Sequence, residues 1–193
     1  RFAFDERYYA RYYENPKTRV GSVVEARKLG RFLRAYLEYL DHPVKSVLDM
    51  GCGVGHMRDV VKRELRGASY TGVEHSEYLC ERYGFEQGSV VDWKSRKRFD
   101  LVICRGVLQY LTRSQAEAAL ENLAKLCRGA LYLEALTRED WSNTVDRKRT
   151  DGAVYLRPAS FYRSRLRKHF THAGGGLHLH ERSPAVLYAL ETL

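Results

Sequence analysis

Short apolar runs alternate with amphipathic stretches through the middle of the chain. The runs predict five strands: Ser46–Met50, Ser69–Glu74, Gly84–Gln87, Phe99–Arg105 and Gly129–Ala135. Apolar positions at helical spacing between them predict three helices: His56–Leu65, Ser76–Arg82 and Ser114–Leu126. Strands separated by helices in this way favour βαβ units and a parallel sheet.

Capping patterns mark the start of two helices. Ser22-Val23-Val24-Glu25 and Ser114-Gln115-Ala116-Glu117 both fit the capping box, in which the serine and the glutamate satisfy backbone amides of the first turn. The helix after Ser22 is predicted to end at His42-Pro43. A further helix is predicted to begin at Pro158 and to remain buried as far as Phe170.

Two more apolar runs, Leu177–Glu181 and Ala185–Glu191, lie near the end of the chain, with only three residues between them. A parallel pair needs a crossover of about a dozen residues or more. We therefore expect these two strands to form an antiparallel hairpin, so that a mostly parallel sheet ends with a reversed strand.

The N-terminal segment carries four tyrosines at helical spacing: Tyr8, Tyr9, Tyr12 and Tyr13. This helix is predicted to stop before Pro16. Tyrosines in such a pattern either dock a helix on the core or cover a bound ligand. Both interpretations stay open at this stage.

Composition favours one globular domain over residues 1–193, since 44% of the residues are hydrophobic and 12% are aromatic. We divide it into a helical cap (1–43), a central core (44–135) and a final connection, helix and hairpin (136–193). No apolar run approaches the ~20 residues that span a bilayer. The chain begins at Arg1, so we expect that residues before it have been removed, and the sequence has no signal-peptide pattern.

The four cysteines contain no CxxC pair, which favours free thiols in a reducing cytoplasm over a zinc site. His178 and His180 alternate with leucines, so their imidazoles should share one face of a strand. A metal site that adds His169 and His172 is the less favoured interpretation. We therefore predict no metal.

The strongest motif is a glycine loop directly after the first strand, Asp49-Met50-Gly51-Cys52-Gly53-Val54-Gly55. Glycine at every second position lets a ligand approach the main chain closely, beside the amides of a helix that follows. A dinucleotide site would have the G-x-G-x-x-G/A pattern, but His56 stands at its third glycine position. NAD is therefore the weaker candidate.

Asp49-x-Gly51-x-Gly53-x-Gly55 resembles motif I of the class I S-adenosylmethionine-dependent methyltransferases, and the resemblance extends over about residues 45–135. It implies an α/β fold: a three-layer αβα sandwich with a seven-stranded, mostly parallel sheet, an antiparallel last strand and N-terminal helices as a cap. It also implies S-adenosylmethionine as cofactor and S-adenosylhomocysteine as product. By this resemblance we assign cofactor contacts to Asp49, Gly51, Cys52, Gly53 and Gly55.

Two later segments extend the resemblance. The second predicted strand ends on Glu74-His75, where the family binds the ribose, and one carboxylate can accept from both ribose hydroxyls. Phe85–Val90 is similar to the segment that contacts adenine, so Ser89 and Val90 are predicted cofactor residues. Many members have an aspartate where Ser89 stands, and Asp92 is the alternative contact.

Phe99–Leu111 is similar to the fourth-strand signature of the family, which adds Cys104 and Arg105 to the predicted cofactor contacts. Members that act on small molecules often have a histidine where Tyr110 stands. Arg19, just after the tyrosines, is a candidate partner for the methionine carboxylate of the cofactor.

The resemblance implies an in-line displacement in which an acceptor atom attacks the sulfonium methyl. The protein then has mainly to align the two reactants and to keep water out. An oxygen or a protonated amine also needs deprotonation. Tyr110, His178 and Arg105 are the catalytic candidates.

The net charge of +9 favours anionic partners. Eight basic residues lie within 147–168: Arg147, Lys148, Arg149, Arg157, Arg163, Arg165, Arg167 and Lys168. They are either the solvated face of a helix or a site for a carboxylate or phosphate of the acceptor.

We predict methyl transfer to an oxygen or nitrogen atom of a small, anionic acceptor. A nucleic-acid methyltransferase is the first alternative. Against it, the fourth strand lacks the [DNS]-P-P-[YFW] signature, and no RNA-binding module is apparent. A non-catalytic cofactor-binding partner is the second alternative, although its expected sign, a degraded glycine loop, is absent.

Overall fold

The computed structural model describes residues 4–14, 22–147, 150–189 and 191. Its centre is a seven-stranded sheet in the order β3-β2-β1-β4-β5-β7-β6. The strands are β1 (Ser46–Met50), β2 (Ser69–Glu74), β3 (Glu86–Gln87), β4 (Phe99–Arg105), β5 (Cys127–Glu134), β6 (Phe170–Gly174) and β7 (Leu177–His180). The first five strands pair in parallel, and β7 runs antiparallel to both of its neighbours.

The described residues form seven α-helices around the sheet: α1 (Glu6–Tyr9), α2 (Val23–Tyr39), α3 (His56–Glu64), α4 (Glu77–Tyr83), α5 (Arg113–Leu126), α6 (Arg138–Asn143) and α7 (Ala159–Leu166). A π-helical turn, Ala10–Glu14, continues α1, and a 3-10 turn, Leu108–Tyr110, follows β4. The predicted N-cap of α2 is confirmed, since the Ser22 side chain accepts from the amide of Glu25. The prediction for α5 was wrong by two residues, because Thr112 is its N-cap.

The sheet separates two hydrophobic clusters. Successive residues of β4 show this division: Leu101 and Ile103 pack on the side of α2 and α3, whereas Val102 and Cys104 pack on the side of α5 and α7. Such alternation is what a strand buried on both faces requires. The predicted three-layer α/β fold with a mostly parallel sheet is confirmed.

The predicted hairpin was placed wrongly. The hairpin consists of β6 and β7, and residues 185–189 contain no strand. The turn between β6 and β7 is made by Gly174, Gly175 and Gly176, whose φ angles of 88°, 56° and 82° are open to glycine at little cost. Phe170 consequently begins β6 instead of continuing the preceding helix, which ends at Leu166.

Candidate functional site

The carboxyl ends of β1, β2 and β4 meet where the strand order reverses, which is the position of ligand crevices in open parallel sheets. The glycine loop begins here. Gly51 donates to the carbonyl of Val73 on β2 (2.8 Å) and has a φ of +76°. A Cβ built on Gly51 would lie 2.3 Å from Val107 Cγ2, so the close approach of the segment after β4 requires glycine at this position.

Glu74 at the end of β2 holds the glycine loop in place. One carboxylate oxygen accepts from the amide of Gly53 at 2.8 Å, and the other accepts from the amides of His75 and Ser76 at 2.8 and 3.0 Å. The residue is almost completely buried. A carboxylate with three N–H donors is well compensated for its loss of water.

Asp49 is also buried, and its carboxylate accepts from the hydroxyl of Tyr70 at 2.7 Å. Burial raises the pKa of Asp49 to about 7, and the nearby charge of Glu74 adds to this effect. The ionised form of this carboxyl is therefore less favoured than that of an exposed aspartate.

Two cavities open at this edge of the sheet, with volumes of about 470 and 190 Å³. The larger has the size of a typical small-molecule pocket. It contains eight of the predicted site residues: Gly51, Gly53, Glu74, His75, Ser89, Val90, Arg105 and Tyr110. The smaller is lined by Asp49 and Cys52 and shares Gly51, Gly53, Arg105 and Tyr110 with the larger.

The segment after β3 forms one end of the larger cavity. Ser89 and Val90 line it, whereas Asp92 lines neither cavity, so the geometry favours Ser89 over Asp92. The side-chain amide of Asn122 on α5 donates to the carbonyls of Val90 and Trp93, at 3.1 and 3.0 Å. The position of this segment is therefore fixed from the core side.

The N-terminal aromatic residues form a wall of the larger cavity, through Phe4, Tyr8, Tyr9 and Tyr13. The hydroxyls of Tyr8 and Tyr110 lie 2.8 Å apart, and the Ser76 hydroxyl donates to the carbonyl of Phe4 at 2.7 Å. The segment therefore docks on the core and also lines the cavity, so covering a bound ligand stays a prediction.

Arg105 lies where the two cavities meet. Its Nε is 2.9 Å from a carboxylate oxygen of Glu134, which also accepts from the Tyr132 hydroxyl at 3.2 Å. Beside it, burial raises the pKa of Tyr110, and the nearby Tyr8 adds to the shift. This shift favours the neutral phenol of Tyr110, which can donate and accept hydrogen bonds.

Among the residues near these cavities that were not predicted, four bear most on the chemistry of the site. Glu134 ends β5 at the same edge of the sheet as Glu74, so an acid at the end of this predicted strand could have been identified from the sequence. Gln115 and Tyr155 line the larger cavity from segments far apart in sequence. The charge of Asp151 adds to burial in raising the pKa of Tyr8, Tyr13 and Tyr110.

Three predicted residues line neither cavity: Gly55, Cys104 and His178. Gly55 begins α3 with a φ of +79°, and its α-carbon lies under the ring of Phe85. Cys104 is fully buried in the core. His178 is buried in β7, with its ring centroid 4.9 Å from that of His172. Arg19 lies outside the described residues.

The position of His178 predicts a pH dependence of stability. Burial lowers its pKa to about 4, with a smaller contribution from His172. Below pH 6.5, His178 binds a proton in the unfolded chain but not in the folded chain. Its contribution to the free energy of unfolding is therefore complete above pH 6.5 and is lost as the pH falls towards 4. The loss is on the order of 3 kcal/mol.

Urea unfolding at pH 7 and pH 4.5 measures this effect. His178→Leu should reduce the difference between the two pH values, because the buried titrating group is gone. His75→Gln is the matched control, since His75 is exposed, and it should retain the wild-type difference. An unchanged pH dependence in His178→Leu would contradict the assignment.

Within the described segments, no group of three or more histidine, cysteine, aspartate or glutamate side chains is placed to hold a metal ion. No helix in this part of the chain is long and apolar enough to cross a membrane.

A glycine loop and a strand-end carboxylate at the switch point of a parallel sheet define an α/β protein that binds a nucleotide-type cofactor. A family model described as "Methyltransferase domain" matches residues 23–175, well over half of the chain. The chain therefore belongs to the methyltransferase domain family, as the motif resemblance predicted. No curated protein matches the sequence.

Solved structures of class I methyltransferases share the fold. Streptomyces venezuelae DesVI is 15% identical, with a TM-score of 0.64 over 95% of this chain and 100% of that one. The plantazolicin methyltransferase BpumL, in complex with a desmethylPZN analogue and S-adenosylhomocysteine, is 16% identical, with a TM-score of 0.62 over 82% and 72%. Magnesium protoporphyrin IX methyltransferase ChlM from Synechocystis PCC 6803, with bound S-adenosylmethionine, is 17% identical, with a TM-score of 0.58 over 94% and 100%.

Proposed function

We propose that this protein transfers a methyl group from S-adenosylmethionine to an oxygen or nitrogen atom of a small acceptor that carries an anionic group. The observation that carries the proposal is the contact between Glu74 and the Gly53 amide, at the edge of a cavity that continues to Tyr110. A strand-end carboxylate and a glycine loop in contact are suited to a ribose and to the chain attached to it.

The residues present fit S-adenosylmethionine. Glu74, with one acceptor site left beside its three backbone donors, would accept from a ribose hydroxyl, and Ser89 and Val90 would lie against the adenine. Gly53 faces the cavity, with no atom closer than 3.8 Å to a Cβ built on it, so the main chain is open to close approach. The methionine end would lie in the smaller cavity, between Asp49 and Arg105.

S-adenosylmethionine supplies an activated methyl group with a neutral leaving group. The chain must then align the acceptor and exclude water, and the aromatic wall of Phe4, Tyr8 and Tyr13 is suited to the second task. Tyr110 is the residue we propose to orient the acceptor. Arg105, paired with Glu134, is a positioning residue in this proposal.

The acceptor end of the cavity favours an atom that is nucleophilic as it binds. The described residues that line this end are Tyr110, Leu111, Thr112, Gln115 and Tyr155, with no carboxylate or imidazole among them. A neutral amine or a carboxylate oxygen needs no base, whereas an alcohol does. We infer that the proton, where there is one, leaves to solvent.

A small acceptor is favoured over a nucleic acid because the aromatic wall covers the cavity, and because the solved relatives include small-molecule methyltransferases. The intact glycine loop favours catalysis over a purely binding role. The cytoplasm is the compartment we propose, on the basis of the four free cysteines.

Two measurements on the same preparation test the proposal. Calorimetry should detect S-adenosylhomocysteine binding, and a panel of small amines, phenols and carboxylic acids should yield radioactive product from methyl-labelled S-adenosylmethionine. Absence of S-adenosylhomocysteine binding would overturn the cofactor assignment. Tight binding without turnover on any acceptor would favour a non-catalytic partner, and salt-dependent methylation of RNA would favour the nucleic-acid alternative.

A further inference from the structure

An open groove of about 780 Å³ lies beside the larger cavity, between the start of α5, the segment 154–158 and α7. Four arginines line it: Arg113, Arg138, Arg157 and Arg165. Two of these belong to the basic region 147–168 that the sequence singled out. Of the other six basic residues there, Lys148 and Arg149 lie outside the described chain, and Arg147, Arg163, Arg167 and Lys168 do not line the groove.

The groove has an excess of positive charge. Arg113 and Arg165 share one carboxylate, Glu117, and no acidic side chain is among the described residues of the lining. Arg157 is buried without a carboxylate partner, since it donates to the carbonyls of Leu108 and Leu111. A cluster of guanidinium groups with so little compensation raises the local concentration of anions.

Arg138 has the side chain best placed to take a ligand. Its guanidinium makes no hydrogen bond or ion pair with any described residue, and its backbone amide donates to the carbonyl of Arg157 at 2.9 Å. Its charge interacts with that of the neighbouring Glu139, whose carboxylate already accepts from the amide of Ala159 at 3.1 Å. The backbone of Arg138 is therefore held in place, while the N–H donors of its guanidinium remain available to a ligand. Such a donor set matches a carboxylate or a phosphate in two-point geometry.

The floor of the groove is apolar. Three guanidinium groups surround the ring of Phe161, with centroid distances of 5.5 Å for Arg113, 5.4 Å for Arg157 and 3.8 Å for Arg165. Val154, Leu156 and Pro158 add aliphatic surface. An apolar floor beneath a cationic rim suits an organic anion with a hydrophobic body better than a bare inorganic ion.

Tyr155 joins the groove to the larger cavity, because it lines both. Its amide donates to the carbonyl of Gln109 at 2.8 Å, in the turn that carries Tyr110, and Arg157 donates to Leu108 of the same turn. The groove and the acceptor end of the cavity are thus built on one hydrogen-bonded unit. One molecule can extend from Tyr110 past Tyr155 to the arginines.

We propose that this groove binds the anionic group of the methyl acceptor, with Arg138 and Arg113 as its direct contacts. The acceptor is then a small organic carboxylate or phosphate whose apolar body lies over Val154, Leu156 and Pro158 and whose reacting atom enters the cavity beside Tyr110. This inference rests on the proposed methyl transfer and names the class of acceptor for that same site.

Binding of three small probes to the full chain loaded with S-adenosylhomocysteine tests the proposal by NMR titration at low salt. The probes are phenylacetate, phenyl phosphate and the neutral phenylacetamide. Wild-type protein should bind at least one of the two anions about tenfold more tightly than the amide, since a hydrogen bond to a charged group is strong enough for that factor. The anion that binds more tightly identifies the acceptor as a carboxylate or as a phosphate.

Arg138→Gln should remove most of this preference for anions. Arg31→Gln is the matched control, because Arg31 is an exposed arginine on α2, on the other side of the sheet, and it should change affinity less than twofold. Equal binding of anions and amide would overturn the inference, as would an equal loss in the two variants. RNA binding through Arg138 without small-anion binding would also overturn it.

Calorimetry with S-adenosylhomocysteine on each variant keeps this inference separate from the proposed function. If the wild-type chain binds S-adenosylhomocysteine but shows no preference for anions, only the proposed anion site in the groove is contradicted. Failure of the wild-type chain to bind S-adenosylhomocysteine contradicts the methyltransferase proposal, regardless of whether the anionic probes bind.

Discussion

Glu74→Ala is expected to raise the Kd for S-adenosylhomocysteine at least 100-fold, on the order of 3 kcal/mol of binding free energy. Two contributions add. A hydrogen bond from a ribose hydroxyl to a carboxylate is worth about 1.5–3 kcal/mol, and the variant loses it. The amides of Gly53, His75 and Ser76 also lose their acceptor, so the loop no longer has a fixed position.

Glu74→Gln separates these contributions. Its single amide oxygen can still accept from His75 and Ser76, but the NH2 group then faces the Gly53 amide, donor against donor. We expect a loss of about tenfold, between wild type and Glu74→Ala. Glu81→Ala, an exposed glutamate on α4, is the control and should bind as wild type does. Equal affinity of Glu74→Ala and Glu81→Ala would exclude Glu74 from the cofactor site.

The core of the site was predictable because its chemistry depends on local backbone geometry. Gly51 and Gly53 both adopt positive φ angles, which only glycine takes readily, so the loop is visible in sequence. Glu74 was predictable because a buried strand that ends on an acid places that acid at the edge where ligands bind. Such signals need only a few neighbouring residues.

The acceptor side could not be predicted, because it depends on tertiary contacts. Tyr155 reaches the cavity through a hydrogen bond to Gln109, 46 positions earlier in the chain, and no periodic pattern surrounds it. His178 illustrates the same dependence. It was a catalytic candidate, but its side chain is buried on a face of β7 beside His172 and lines neither cavity.

The hairpin shows how an extra apolar run misleads. Residues 185–191 alternate well enough to suggest a strand, so the Arg182-Ser183-Pro184 segment was assigned the turn. The three consecutive glycines at 174–176 were the better signal, since three positive φ angles in a row form a tight turn that other residues resist. Turn chemistry therefore outweighed hydrophobic alternation in locating this hairpin.

Gly53→Val should abolish detectable S-adenosylhomocysteine binding while the protein remains folded. Gly53 has a φ of +55°, where a side chain costs about 1–2 kcal/mol, so stability decreases modestly. A Cβ here has space, with Tyr13 Cε1 as its nearest atom at 3.8 Å, but that space belongs to both cavities. The valine methyl groups would therefore occupy room that the cofactor needs.

Gly67→Val provides the matched control. Gly67 has a φ of +85° and no atom within 4 Å of a built Cβ, and it lies in the exposed turn between α3 and β2. It should suffer a similar loss of stability from backbone strain, because the same conformation is forced on the same side chain. Its affinity for S-adenosylhomocysteine should remain that of wild type. Thermal unfolding and calorimetry on both variants then distinguish strain from obstruction: equal loss of binding in the two would mean that Gly53 acts through the fold and not through the cofactor site.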